Sequence, residues 1–211
     1  MKRHLFGIAV ASLEKAGWKV ERVPGSGKSS VRRITKGAQS KIVSIRTTQD
    51  QWIAFPRKEN DMGWLTLDEV DAVVPVSVDD EEAPKFAKVH LIDGDEMRAR
   101  FNRAYNARKK AGHTITMGRG VWVSLYVPEA QDPVNLVGAG VGLMFPPIAT
   151  VPLSPQLASA VQPKASREDD EARALLSAPA EEAPLTIAEA KRRLAKTLGV
   201  DPINIKISVE A

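Results

Sequence analysis

Residues 41–55 read KIVSIRTTQDQWIAF and carry the pattern on which our fold prediction depends. Val43 and Ile45 fall on one face of a strand, and Ile42, Ser44 and Arg46 fall on the other. The polar residues that follow suit a turn, and the apolar run 52–55 is rich in residues that favour strands. We therefore predict two adjacent strands, the second a buried partner of the first, with the rest of residues 1–112 layered around them.

The composition is that of a globular protein large enough for one sizeable core. The chain has 211 residues, of which 43% are hydrophobic and 27% charged. It has no cysteine, which excludes a disulfide framework, a thiol nucleophile and a cysteine metal site. His4, His90 and His113 are scattered, so a histidine-rich zinc site is not expected, whereas a magnesium ion held by carboxylates stays open.

The first 17 residues combine a basic start with a short apolar stretch and so resemble a signal peptide in outline. However, Leu5, Ile8 and Leu13 recur at helical spacing, and Glu14 follows directly. We favour an amphipathic helix of the mature chain and therefore a cytoplasmic protein. No apolar run approaches the roughly 20 residues that span a bilayer, so no membrane partner is expected.

Charge is strongly segregated along the chain. Residues 1–60 hold 13 Lys and Arg against 4 Asp and Glu, residues 61–95 hold 2 against 10, and residues 96–120 hold 7 against 1. One interpretation is a basic surface for nucleic acid, assembled from the two basic blocks. The other is that the basic and acidic blocks neutralise one another in the fold.

Alternation and turn residues place the other elements of the first domain. Residues 2–16 predict a helix that ends at Gly17. Pro75 lies inside an apolar strand, which argues for an edge position or a bulge. The further predicted strands are 18–23, 31–35, 72–78, 86–92 and one within 113–127.

A second helix is predicted from Asp93, which has the spacing of a capping box with Glu96, to Gly112. Its apolar residues form one stripe that we expect to be buried. The rest of the helix carries six basic residues with hardly an acidic partner within one turn, which favours a nucleic-acid-binding face over ordinary solvated charge. The stripe is Met97, Phe101, Ala104 and Tyr105, and the basic residues are Arg98, Arg100, Arg103, Arg108, Lys109 and Lys110.

The composition changes after residue 127. Residues 128–153 are rich in Gly and Pro and predict an extended arm, and residues 154–185 predict a flexible, disordered linker. Residues 186–211 predict a capped helix followed by one strand. Such a tail cannot fold alone, so we expect it to dock on the main domain, on a second copy in a homo-oligomer, or on another protein.

The loop at residues 25–30 (GSGKSS) is similar to the end of a phosphate-binding P-loop. The position of the first glycine of that motif is taken by Arg22, and a strand pattern follows where a helix is required. We therefore interpret Lys28 as part of a flexible basic loop that touches phosphate backbones, and a plain hairpin loop is the alternative.

The hairpin VDAVVPVSVDD…AKVHLIDGDEM, with its entry into the second helix, is the most specific part of a wider pattern. Across residues 3–111 the order helix, strands, hairpin, helix resembles the PD-(D/E)XK nuclease superfamily, in particular its group I intron endonuclease and Holliday-junction resolvase branches. The resemblance implies an α/β, restriction-endonuclease-like fold with a mixed sheet flanked by helices. Active members hold magnesium with an aspartate on the second core strand and a (D/E)-x-K trio on the third.

The residues at those positions depart from the superfamily pattern. The resemblance puts the position of the aspartate near Ser29, Ser30 or Arg32, and that of the trio at Ser44, Ile45 and Arg46. A serine hydroxyl is a poor magnesium ligand, and the pKa of arginine is too high for a general base. The resemblance therefore implies a degenerate site without a cofactor. The acidic residues that could have relocated into a working magnesium site are Glu14, Glu21 and Asp50.

We expect residues 1–127 to form a nuclease-like core that lacks catalysis and binds nucleic acid, with DNA the expected partner, largely through phosphate contacts. One alternative is an active magnesium-dependent endonuclease that uses the relocated acids. Another is a protein-interaction adaptor that acts through the tail. The predicted nucleic-acid-binding residues are Lys28, Arg32, Arg33, Arg46, Arg57 and Lys58 on one edge and Arg98, Arg103, Lys109 and Lys110 on the other.

Overall fold

The computed structural model describes residues 1–24, 30–58, 61–115 and 118–154, all of which belong to one compact unit. Most of the predicted basic loop, the linker beyond residue 154 and the tail lie outside the described residues. The helices are α1 (Lys2–Lys15), α2 (Gly94–Lys110) and α3 (Val141–Met144), and the strands are β1 (Lys19–Arg22), β2 (Val31–Lys36), β3 (Gln39–Thr48), β4 (Trp52–Pro56), β5 (Ala72–Val78), β6 (Phe86–Val89), β7 (Ile92–Asp93), β8 (Gly120–Ser124) and β9 (Ala149–Pro152).

The main sheet is mixed. Its strand order is β1-β2-β3-β5-β6-β9, and β7 also pairs with β5. β3 and β5 run parallel, and the other neighbours in this sheet are antiparallel. The predicted α/β class with a mixed sheet and flanking helices is therefore confirmed.

The two faces of β3 differ as its alternation predicts. Val43 and Ile45 are buried in a cluster with Leu5 and Leu13 of α1 on one side of the sheet. A second cluster on the other side is built from α2, β4 and β8 and includes Phe101. Each fully buried aliphatic or aromatic side chain contributes about 1.5–3 kcal/mol to folding, so these two clusters fix which way β3 faces.

The predicted pairing of β4 with β3 is wrong. β4 pairs antiparallel with β8 in a separate two-stranded sheet, with Ile53 opposite Val123. The turn explains the change of direction, because Gln51 has a φ of 62° and the Asp50 carboxylate accepts hydrogen bonds from Thr48 Oγ1 and the Trp52 amide. Alternation shows which face of a strand is buried, but it does not identify the neighbouring strand.

The edge position predicted from Pro75 is also wrong, because β5 lies between β3 and the β6 and β7 strands and is buried throughout. The Pro75 carbonyl accepts a hydrogen bond from the His90 amide at 3.0 Å. His90 lies just where β6 has ended and β7 has not begun. The missing N–H of proline therefore faces an interruption in the partner strands, which is how a central strand tolerates it.

The helix α2 begins as predicted, since the Asp93 side chain accepts a hydrogen bond from the Asp95 amide at 2.8 Å. The predicted stripe is buried. The outward position predicted for Arg100 is wrong, because its side chain is only 2% exposed. It binds Glu96 Oε1 at 2.6 Å and donates to the Ala139 carbonyl at 2.5 Å, so the core supplies the partners that burial of a guanidinium requires.

The predicted arm contributes directly to the core. β9 pairs with β6, with Val151 opposite Ala87, and so adds the last strand of the main sheet. Val141 at the start of α3 is fully buried. In the part of the chain that the structure describes, no helix has both the length and the apolar character that crossing a membrane requires.

Candidate nucleic-acid interface

The positions that the resemblance assigns to catalysis are engaged in the core. Ser44 is fully buried, and its Oγ makes no hydrogen bond within the described residues. The Arg46 guanidinium lies over the ring of Phe55, 4.4 Å from its centroid, a favourable cation–π contact. The Ser30 carbonyl accepts from the Ile45 amide at 2.9 Å and so extends the β2–β3 ladder.

The three acids considered for a relocated site have other surroundings. Glu14 is exposed on α1, which covers the face of the sheet opposite to Ser44. Glu21 pairs with Lys19 at 2.9 Å, and Asp50 stabilises the turn after β3. Among the described residues, no three His, Asp or Glu side chains are grouped to hold a metal ion.

Five basic residues that we predicted to bind nucleic acid form ion pairs among the described residues. One of them, Arg57, is enclosed by the fold, and we call the other four the paired face. Three of their partners belong to the acidic block 61–95, and the fourth is Glu129. The pairs are Lys58–Asp68 at 3.0 Å, Arg98–Asp95 at 2.7 Å, Arg103–Glu129 at 3.1 Å and Lys109–Asp61 at 3.6 Å.

Two of these acids are held in the ionised form. The Arg103 hydrogen bonds, supported by the Gly138 amide at 2.8 Å, lower the pKa of Glu129 below its usual range. Hydrogen bonds from the Tyr105 hydroxyl and then from Arg57 lower the pKa of Asp61. These carboxylates therefore stay charged at neutral pH and neutralise the cations beside them.

The guanidinium of Arg57, another predicted contact residue, is enclosed by the fold. It lies 4.7 Å from the ring centroid of Trp64 and 4.4 Å from that of Tyr105. It also binds Asp61, and the whole residue is only 8% exposed. Contacts with two aromatic rings and with a carboxylate together hold this cation and stabilise the loop that follows β4.

The outer strands of the main sheet carry a different group of cations, which we call the basic edge. On β1, β2 and β3 the sequence places only one acid, Glu21. Arg22 and Arg33 are exposed, and neither forms an ion pair within the described residues. Arg22 lies directly opposite Arg32, whose pKa is lowered by burial and then by this neighbouring charge. The basic edge comprises Arg22, Arg32, Arg33, Lys36 and Lys41.

Sequence reasoning identified only Arg32 and Arg33 of this edge. Lys36 donates to the Ala16 carbonyl at 2.8 Å and lies over the Trp18 ring, so its charge remains at the surface. The sequence signal that could have identified the other three residues is the high density of cations on the consecutive strands β1, β2 and β3. Of the other predicted residues, Lys110 is exposed on α2, and Lys28 lies outside the described residues.

A series of buried hydrogen bonds, which the sequence did not suggest, connects the arm (residues 128–153) to the main sheet. Ser77 Oγ lies 2.7 Å from Tyr126 OH, which lies 2.9 Å from His90 Nε2, and His90 Nδ1 lies 2.8 Å from the Phe145 carbonyl. Since a carbonyl only accepts, Nδ1 donates to it, and the neutral ring accepts from Tyr126. Burial lowers the pKa of His90, which keeps this arrangement at neutral pH.

Comparison with models of protein families, with curated proteins and with solved structures gave no match to this chain. The functional argument therefore depends on the charges and contacts of the chain itself. Its two groups of surface cations differ in one respect that bears on anion binding. The four cations of the paired face each lie beside a carboxylate, whereas Arg22 and Arg33 of the basic edge are exposed and form no ion pair within the described residues.

Proposed function

We propose that this protein binds nucleic acid, with DNA the expected partner, through phosphate contacts made by the basic edge. The observation that carries the proposal is the charge of β1, β2 and β3, whose sequences hold seven Lys and Arg and one acid, Glu21, which pairs with Lys19. Two like charges directly opposite one another, such as Arg22 and Arg32, destabilise a strand pair. An anionic ligand across the strands relieves that repulsion.

Phosphate is the anion that this arrangement fits best. Arginine binds phosphate with two parallel hydrogen bonds, and three of the five cations of the basic edge are arginines. Contacts of this kind position the backbone without reading bases, so we expect little sequence preference.

We further propose that the fold is nuclease-like with a degenerate site. The order α1, four strands, the β5–β6 hairpin and α2 is the order on which the resemblance rests, and it supports this assignment. The burial of Ser44 and the stacking of Arg46 on Phe55 support a structural role for the positions that would otherwise catalyse.

The proposal is tested by fluorescence anisotropy of a labelled duplex of about 20 base pairs between about 50 and 200 mM salt. Five phosphate contacts predict that log affinity falls with log salt with a slope of about −4 to −5. The absence of binding at the lowest salt would refute the proposed function. Incubation of the same protein with supercoiled plasmid and magnesium tests the degenerate site, because nicking would establish the active endonuclease instead.

A further inference from the structure

The outer face of the β4–β8 sheet presents two tryptophans to the surface. Ile53, Phe55 and their partners on β8 point into the core, so the alternate residues of both strands point outward. Trp122 is 37% exposed, and Trp52 is half-buried. Large aromatic side chains of this kind bury apolar area when a ligand covers them. They are separate from the aromatic contacts of the core, which join Phe101 to Phe55 and Trp64.

The register of the two strands determines how the tryptophans are placed on this face. Trp122 lies opposite Ala54, and Trp52 lies opposite Ser124, so the two indoles are diagonal neighbours about 7–8 Å apart at their Cα atoms. Small residues flank them. A Cβ on Gly120 would lie only 2.8 Å from the Cβ of Ala54, so a larger residue does not fit there. The strand residue directly opposite Trp122 is thus the small Ala54.

One cation contacts Trp122 directly, and others lie nearby in the sequence. Residues 106–122 contain four Lys and Arg and no acid. The Arg108 guanidinium donates to the Trp122 carbonyl at 2.7 Å and to the Asn135 carbonyl at 3.2 Å, which fixes a positive charge at the platform. Lys110 and Arg119 are exposed on the same stretch of chain. The carboxylate of Asp50, which accepts from the Trp52 amide, is the opposing charge on this face.

We propose that Trp122 and Trp52 form a stacking platform for unpaired bases, so that the protein prefers single-stranded nucleic acid or the single-stranded part of a junction. This inference rests on the proposed nucleic-acid binding and adds the class of ligand. Bases stack on exposed aromatic side chains irrespective of sequence, and cations beside the rings hold the phosphates. Duplex bases are already stacked and do not reach such a platform.

The test compares Trp122→Ala with the unmodified full chain on a labelled thymidine oligonucleotide of about 15 nucleotides and on a duplex of equal length. We expect tighter binding of the single strand by the unmodified protein. The variant should lose about 5- to 150-fold in single-strand affinity, with the duplex affinity and the salt slope unchanged. Trp122→Phe should retain most of the affinity, and Leu143→Ala, which truncates an exposed apolar side chain on α3, is the matched control.

The outcomes separate the two proposals. If the unmodified protein binds the duplex but shows no preference for the single strand, and Trp122→Ala changes nothing, the platform is refuted while the proposed function stands. If it binds neither oligonucleotide, the proposed function itself fails. A stability loss in both Trp122 variants with unchanged affinity would show that the pair only holds β4 to β8, or serves a protein partner, and would also refute the platform.

Discussion

The basic edge and the paired face carry the same kinds of side chain but differ in their surroundings. On the paired face the side-chain nitrogen of every cation lies within 3.6 Å of a carboxylate oxygen. Hydrogen bonds lower the pKa of two of those carboxylates, Asp61 and Glu129. On the basic edge, Arg22 and Arg33 have no such partner within the described residues. A helix rich in arginine is therefore the less basic of the two surfaces.

This difference teaches that charge along the sequence and charge on the surface are separate quantities. The acidic block 61–95 lies between the two basic blocks in sequence, and its acids pair with cations from both of them. Neutralisation within the fold therefore describes the cations of the paired face. The other interpretation, a basic surface for nucleic acid, stays a prediction.

We expect the largest loss of stability from a change at Arg100 of α2, because its guanidinium is buried. Changing Arg100 to Ala leaves the Glu96 carboxylate without its cation and the Gly138 and Ala139 carbonyls without their donor. Breaking such a buried pair costs about 3–5 kcal/mol in the free energy of unfolding, measurable by urea denaturation. The exposed control Arg33→Ala should stay within about 0.5 kcal/mol. A loss below about 1 kcal/mol at Arg100 would contradict the structural role.

Two triple variants with the same change of charge test the comparison directly. Arg22, Arg33 and Lys41 changed to Gln should flatten the slope of log affinity against log salt by about 2 to 3, because each lost phosphate contact removes about 0.9. Lys58, Arg103 and Lys109 changed to Gln should flatten it by less than about 1, since their charges are already neutralised. Equal slopes in the two variants would show that the ion pairs open on binding and that both surfaces contribute.

The local elements could be predicted from the sequence, and the contacts between distant elements could not. The faces of β3 and the buried stripe of α2 follow from periodicity alone. The position of Arg100 was also readable, since it lies three residues after Met97 and one before Phe101, on the stripe itself. Its charge suggested solvent, whereas burial depended on carbonyls 38 and 39 residues away.

The candidate site was predicted less well for the same reason. Glu129, which neutralises Arg103, lies 26 residues from it in sequence, and no local sequence pattern predicts that the two residues form a pair. The partner of β4 likewise depends on a turn geometry at Gln51 that many sequences share. The stacking platform depends on that pairing, so Trp52 and Trp122 come together only once β8 is known to be the partner.

A smaller effect is expected when Glu129 is changed to Gln. The folded-state pKa of Glu129 is lowered, so its contribution to stability is complete above the unfolded value of about 4.3 and is lost as pH falls through the folded value. We expect the variant to lose about 1 kcal/mol at neutral pH and nothing at about pH 2, measured by urea denaturation. It should also bind DNA more tightly, since Arg103 is released. Glu14→Gln, at an exposed position on α1, is the control, and an equal loss at both pH values would contradict the ion-pair account.

The smallest effect is expected at the most exposed pair of the paired face, Arg98–Asp95. Changing Asp95 to Asn removes a carboxylate whose side chain is 90% exposed, and surface pairs of this kind contribute about 0–1 kcal/mol. Arg98 Nη1 also donates to the Leu67 and Val70 carbonyls, at 2.8 and 3.0 Å, so the guanidinium should stay in place without Asp95. We therefore expect a loss within about 0.5 kcal/mol and a salt slope that steepens by no more than about 0.9, because a released but anchored cation offers at most one phosphate contact. A larger loss of stability would mean that Asp95, at the start of α2, acts mainly on the helix terminus and not on Arg98.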